Sequence, residues 1–101
     1  VSTYLSLSER ELAIVHDILR AHLPANVSVH VFGSRAGDHP KQWSDLDLVL
    51  EAPAALPLEL LAALAEAFDS SDLPWKVDLV DRRTVSADFG RLIDQKKVAL
   101  S

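Results

Sequence analysis

The chain has 101 residues, 49% of them apolar and 25% charged, with 15 acidic and 10 basic side chains and a formal net charge of −5. That size and balance fit one soluble domain spanning residues 1–101, too small to add a separate substrate domain. With no cysteine, disulfides and thiolate zinc sites are excluded, and no basic run offers a track for long nucleic acid. No apolar run nears the ~20 residues that span a bilayer, and the first residues lack a signal-like segment, so the expected setting is the cytoplasm.

In chain order, Ser8 and Glu11 have the spacing of a capping box. Leu12, Val15, Leu19 and Leu23 then recur at helical period until Pro24 and Asn26 end the helix. Val27 to Phe32 reads as a strand, with Val27, Val29 and Val31 on one face and Ser28, His30 and Phe32 on the other. Gly33 to Ser44 is a turn and loop. Asp45 to Glu51 is a second strand placing Asp45, Asp47 and Val49 on one face.

Pro53 and Pro57 lead into a helix with Leu60, Leu61, Leu64 and Phe68 as its buried stripe. Trp75 to Asp81 is a third strand, a helix runs from about Ser86 to Lys96, and Val98 to Leu100 forms a short edge strand. This order predicts a small α/β (α+β) sheet with helices mainly on one face, leaving the acid-bearing face open.

The segment Val29 to Leu50 carries the chemistry. Gly33-Ser34 ends one strand and Asp45-Leu46-Asp47 opens the next, so two carboxylates point the same way beside a turn able to offer N–H groups and a hydroxyl to phosphate. Four fixed positions of this kind match by chance in roughly one chain in a thousand of this length. Aspartate is depleted in strands, which sets two on one short strand apart from ordinary solvated residues. A third acid is offered by Asp78 or Asp81; with Val77 and Leu79 as core positions, Asp78 turns toward the open face and Asp81 caps the following turn.

Arg35 is read as a phosphate or base contact, equally a free surface cation. His30 is read as structural and Lys76 as a solvated lysine. Arg82-Arg83 and Lys96-Lys97 are read as solvated ends or a patch for an acidic partner.

Gly33-Ser34-Arg35-Ala36 followed by Ser44-Asp45-Leu46-Asp47-Leu48 resembles the minimal nucleotidyltransferases of the DNA polymerase beta superfamily. The stretch Ser71 to Asp81 and the tail Ile93 to Leu100 are similar to a bacterial and archaeal subgroup paired with a small helical protein of the HEPN class. The resemblance implies a mixed-sheet palm and two Mg²⁺ ions on Asp45, Asp47 and Asp78. It also implies an NTP, with ATP the expected one, whose phosphates lie against Gly33, Ser34 and Arg35. It further implies a hetero-oligomer with a HEPN-type toxin or substrate-binding subunit, in which this chain is the antitoxin and transfers AMP to an acceptor hydroxyl. Two other readings stand beside it: a non-catalytic antitoxin that covers a HEPN ribonuclease, and a small-molecule transferase of the aminoglycoside type. The turn departs from the family pattern, because Ala36 is followed by Gly37-Asp38 where many relatives carry a second basic residue.

Overall fold

The computed structural model describes residues 7–33 and 45–100. Helix α1 (Glu9–His22) opens with the capping box its sequence predicts. Ser8 Oγ accepts from the Glu11 amide at 3.1 Å, and Glu11 Oε1 accepts from the Ser8 amide at 3.0 Å. Two of the helix's orphan donors are thereby satisfied. Strand β1 (Ser28–Phe32) follows, then β2 (Leu46–Glu51), α2 (Leu58–Asp69) and β3 (Val77–Asp81). A single turn of 3-10 helix (Arg82–Thr84), α3 (Ala87–Lys96) and the two-residue β4 (Val98–Ala99) complete the chain. No helix among the described residues is long and apolar enough to cross a membrane.

The four strands form one mixed sheet in the order β3-β2-β1-β4. β1 lies antiparallel to β2 and β4, while β2 and β3 run parallel, with α2 as the crossover that a parallel pair requires. Alternation then sorts the side chains. Val29, Val31, Leu46, Leu48, Leu50 and Val77 form the core with Val15 and Leu19 of α1 and Leu64 and Phe68 of α2. Leu48, Leu50 and Leu64 are wholly buried, each contributing about 1.5–3 kcal/mol of burial. His16 Nε2 lies 2.9 Å from the Leu100 carbonyl, tying the end of the chain to α1.

Helices α1 and α2 share one face, as expected, but the second face is not left wholly open. Helix α3 lies across it, and Ile93 packs with Phe32 and Val49, flanked by Val80 and Val85. Val49, expected beside the acids on an uncovered surface, is fully buried. The apolar positions on this face are too few to read as a second core from one strand alone.

The cations expected at solvated ends are also engaged. Arg82 forks onto Asp94 (Nη2 to Oδ2 2.9 Å, Nε to Oδ1 3.3 Å), and Lys97 Nζ reaches Asp94 at 3.1 Å and Glu51 at 2.9 Å. These two cations hold the Asp94 carboxyl down to about 2, mainly through the Arg82 and Lys97 hydrogen bonds. Gly90 makes room for the fork, since a Cβ there would sit 2.6 Å from the Arg82 guanidinium. His30 Nδ1 lies 2.9 Å from Glu51 Oε2, close enough for an ion pair but outside good hydrogen-bond geometry. Arg83 and Lys96 are exposed, as expected.

Asp81 is the buried acid of the core-facing side, 4% exposed. Its Oδ1 accepts from the Arg83 amide at 2.9 Å, capping the 3-10 turn as the sequence predicts. Its Oδ2 accepts from the Leu56 amide at 2.9 Å, anchoring the β2–α2 connection. Asp81→Ala strips two amides of a charged acceptor and is expected to lower the unfolding free energy by about 2–4 kcal/mol, read from urea denaturation.

Candidate active site: a carboxylate row at one end of the sheet

Strand register builds the site. Asp47 lies opposite Asp78 in the parallel β2–β3 ladder and opposite Phe32 in the antiparallel β1–β2 ladder. Directly paired residues share a face, so Phe32, Asp47 and Asp78 form one row across three strands. Asp81 faces the other way and takes no part, as the alternation argument required. Asp45 is exposed and stands just before β2, so its charge reaches the pair from the strand entrance.

The electrostatics show how close these groups are. The Asp47 carboxyl is pushed up to about 6, first by burial, then by the charges of Asp78 and Asp45, and by a hydrogen bond with Asp78. Removal from water and neighbouring like charge both disfavour a second anion here. Hard carboxylate oxygens crowded in this way suit a divalent cation of the magnesium type. Asp47 and Asp78 could hold one between them, with Asp45 as the additional donor at the rim. Among the described residues no three acids or histidines are already gathered into a metal-holding arrangement.

Gly33 borders the row at the end of β1. It follows β1 directly, with φ at +77°, the left-handed region that favours glycine. A Cβ at this position would meet Asp47 Oδ2 at 2.4 Å. The glycine therefore serves two ends at once: it turns the backbone, and it leaves space for the Asp47 carboxylate. Ser34 and Arg35, predicted to contact phosphate, lie outside the described residues, as does the departure at Gly37-Asp38.

The row lies apart from one of the larger clefts. A cleft of about 610 Å³ lies between α1 and β1, lined by His16, Arg20, Leu23 and Val27, far in the sheet from the acids. A smaller one, about 480 Å³, runs between α2 and β3 and reaches Asp78. One element of the neighbourhood escaped the sequence: Phe89 of α3 meets Phe32 edge to face, ring centroids 6.0 Å apart at 78°. Its only sequence signal is helical spacing, four residues before the buried Ile93 on the same stripe.

Known proteins share both sequence and architecture with this chain. A probable protein adenylyltransferase of Haemophilus influenzae, MntA, is 44% identical over 98 residues, which cover 95% of this chain and 83% of that protein. A toxin–antitoxin structure solved with AMP-PNP superposes with a TM-score of 0.75 at 25% identity, over 89% of this chain and 72% of the other. A complex of a tri-AMPylated Shewanella oneidensis HEPN toxin with an MNT antitoxin gives a TM-score of 0.60 at 26% identity, over 89% and 68% of the respective chains. The nucleotidyltransferase domain family matches residues 12–99, a span that holds the whole sheet, and to that family this chain belongs.

Proposed function

We propose that the chain is a magnesium-dependent adenylyltransferase that moves AMP from ATP to a hydroxyl of a HEPN-type partner protein, acting as the antitoxin of the pair. The observation that carries this reading is the in-register pairing of Asp47 with Asp78, with Gly33 packed against the Asp47 carboxylate. The relatives supply the partner and the transferred group: one is named a protein adenylyltransferase, and one is an antitoxin in complex with an AMPylated HEPN toxin.

In the reaction, the acceptor oxygen bonds to the α-phosphorus of ATP, the bond from that phosphorus to the bridging oxygen breaks, and pyrophosphate leaves. The acceptor proton passes to solvent, and the product is a phosphodiester to AMP. Magnesium, when bound, supplies charge neutralisation on the phosphates and lowers the pKa of the attacking hydroxyl. Asp45, Asp47 and Asp78 are the groups that would hold it. Gly33 brings a backbone N–H to the phosphates, with Ser34 and Arg35 adding a hydroxyl and a cation. Positioning and charge balance on rigid strands account for the acceleration such a site can give.

Asp47→Asn keeps the shape of the row and removes one charge. Transfer of label from α-³²P-ATP to the HEPN-type protein encoded beside this chain is expected to fall by about a hundred- to a thousandfold. A stable complex that carries no label even with the wild-type chain would replace transfer with inhibition by binding alone.

The raised Asp47 carboxyl gives a second check, with a definite sign. A carboxyl whose folded pKa lies above its unfolded value disfavours the fold once ionised, so this group costs stability at neutral pH and the cost fades as pH falls from about 6 toward 3.8. In chelator, Asp47→Asn is therefore expected to melt above the wild type at pH 8, with the gap closing below pH 5. Millimolar magnesium is expected to raise the wild-type melting temperature at pH 8 and leave the variant nearly unchanged.

Gly33→Ala tests the turn. The left-handed backbone costs an alanine about 1–2 kcal/mol, and the new methyl displaces the Asp47 carboxylate. A folded but less stable protein with transfer reduced as severely as in Asp47→Asn is expected, by denaturation and by the same label assay.

A further inference from the structure

Helix α3 covers the second sheet face in a regular stagger. Lys97 stands over Glu51 at the far end, Ile93 over Val49 in the middle, and Phe89 against Phe32 at the near end. Phe89 and Ile93 are four apart on one stripe of the helix, and Lys97 follows four further on at its C-cap. Phe32 belongs to the carboxylate row, so the first turn of α3 is the wall where the covered part of the face ends and the row begins. Two large apolar side chains are exposed there, Phe89 at 41% and Leu92, three residues on, at 60%, beside the exposed Asp88–Arg91 ion pair. With Leu58, they are the exposed large hydrophobics among the described residues, and Leu58 lies on α2, in the cleft that reaches Asp78 from the other side.

A nucleotide is a polyanion ending in a flat, weakly polar disc. If its phosphates lie at Gly33 and the three aspartates, the disc needs an apolar surface bordering the same row. At the opposite border, the cleft along β3 that reaches Asp78 is lined by Leu58, Leu61, Ala62, Ala65, Val77 and Leu79, aliphatic side chains with no aromatic face among them, beside the exposed Lys76. Phe89 meets Phe32 at 78°, not face to face, so at least one face of its ring is left for another partner. We propose that Phe89, flanked by Leu92, is the platform on which the nucleobase of the substrate stacks. This rests on the reading of the carboxylate row as a nucleotidyl-transfer site. Stacking recognises a ring rather than its hydrogen-bonding edge, so the platform favours the larger purines over pyrimidines and does little to separate adenine from guanine.

The test compares two ligands that share a polyphosphate but differ in the base: AMP-PNP and inorganic tripolyphosphate, each with magnesium, titrated calorimetrically into the full chain. Phe89→Ala is expected to weaken AMP-PNP about tenfold and leave tripolyphosphate unchanged. Phe89→Trp, which keeps an aromatic face, is expected to retain wild-type affinity for AMP-PNP. Phe89→Leu preserves apolar packing on Phe32 without the ring and is expected to behave as Phe89→Ala, so a folding defect in the alanine variant does not decide the matter. Equal loss of both ligands, or no loss of AMP-PNP in a folded variant, overturns the platform while leaving the transferase reading intact. Failure of the wild-type chain to bind AMP-PNP overturns both.

Discussion

Two carboxylates held side by side at the end of a sheet repel each other, and the rest of the structure keeps them there. Asp47 and Asp78 are neighbours because β2 and β3 run parallel in a fixed register. That register is enforced by the opposite face, where Leu46, Leu48, Leu50 and Val77 are buried under α1 and α2. Sliding either strand by one residue would turn leucines to solvent and aspartates into the core, at a cost far above the repulsion saved. The hydrophobic core thus supplies the force that makes an electrostatically unfavourable pair permanent.

The second face is held by different means. Its apolar contacts, Phe32, Val49 and Ile93 with Val80 and Val85, are few. Charge completes the attachment: Arg82, Asp94, Lys97 and Glu51 form a chain of ion pairs from the turn after β3, through α3, to β2. Each exposed pair is worth little alone, but together they tie one short helix to the turn after β3 and to β2. The turn that carries Arg82 is itself fixed by Asp81 beneath it.

Much of this was legible in the residues. Period-two alternation placed Asp47 and Asp78 on one face and Asp81 on the other, because the intervening Val77 and Leu79 gave the phase. The capping box at Ser8 and Glu11 was readable because its chemistry is local. The role of α3 was not. Its buried side is one isoleucine and a glycine, and its other ties pair residues 12 and 46 positions apart, Arg82 with Asp94 and Glu51 with Lys97. Single-sequence periodicity carries no record of such partners, so the lysine and arginine pairs looked like solvated ends. Phe89 was hidden for the same reason: its neighbour Phe32 lies on a strand 57 residues earlier in the chain.

The contact between Gly33 and Asp47 reaches beyond geometry. The space a side chain would need at 33 is filled by a carboxylate oxygen of Asp47. Neither position can change alone without harm to the other, yet a shorter residue at 47 would free the volume beside 33, leaving only the backbone twist to resist replacement.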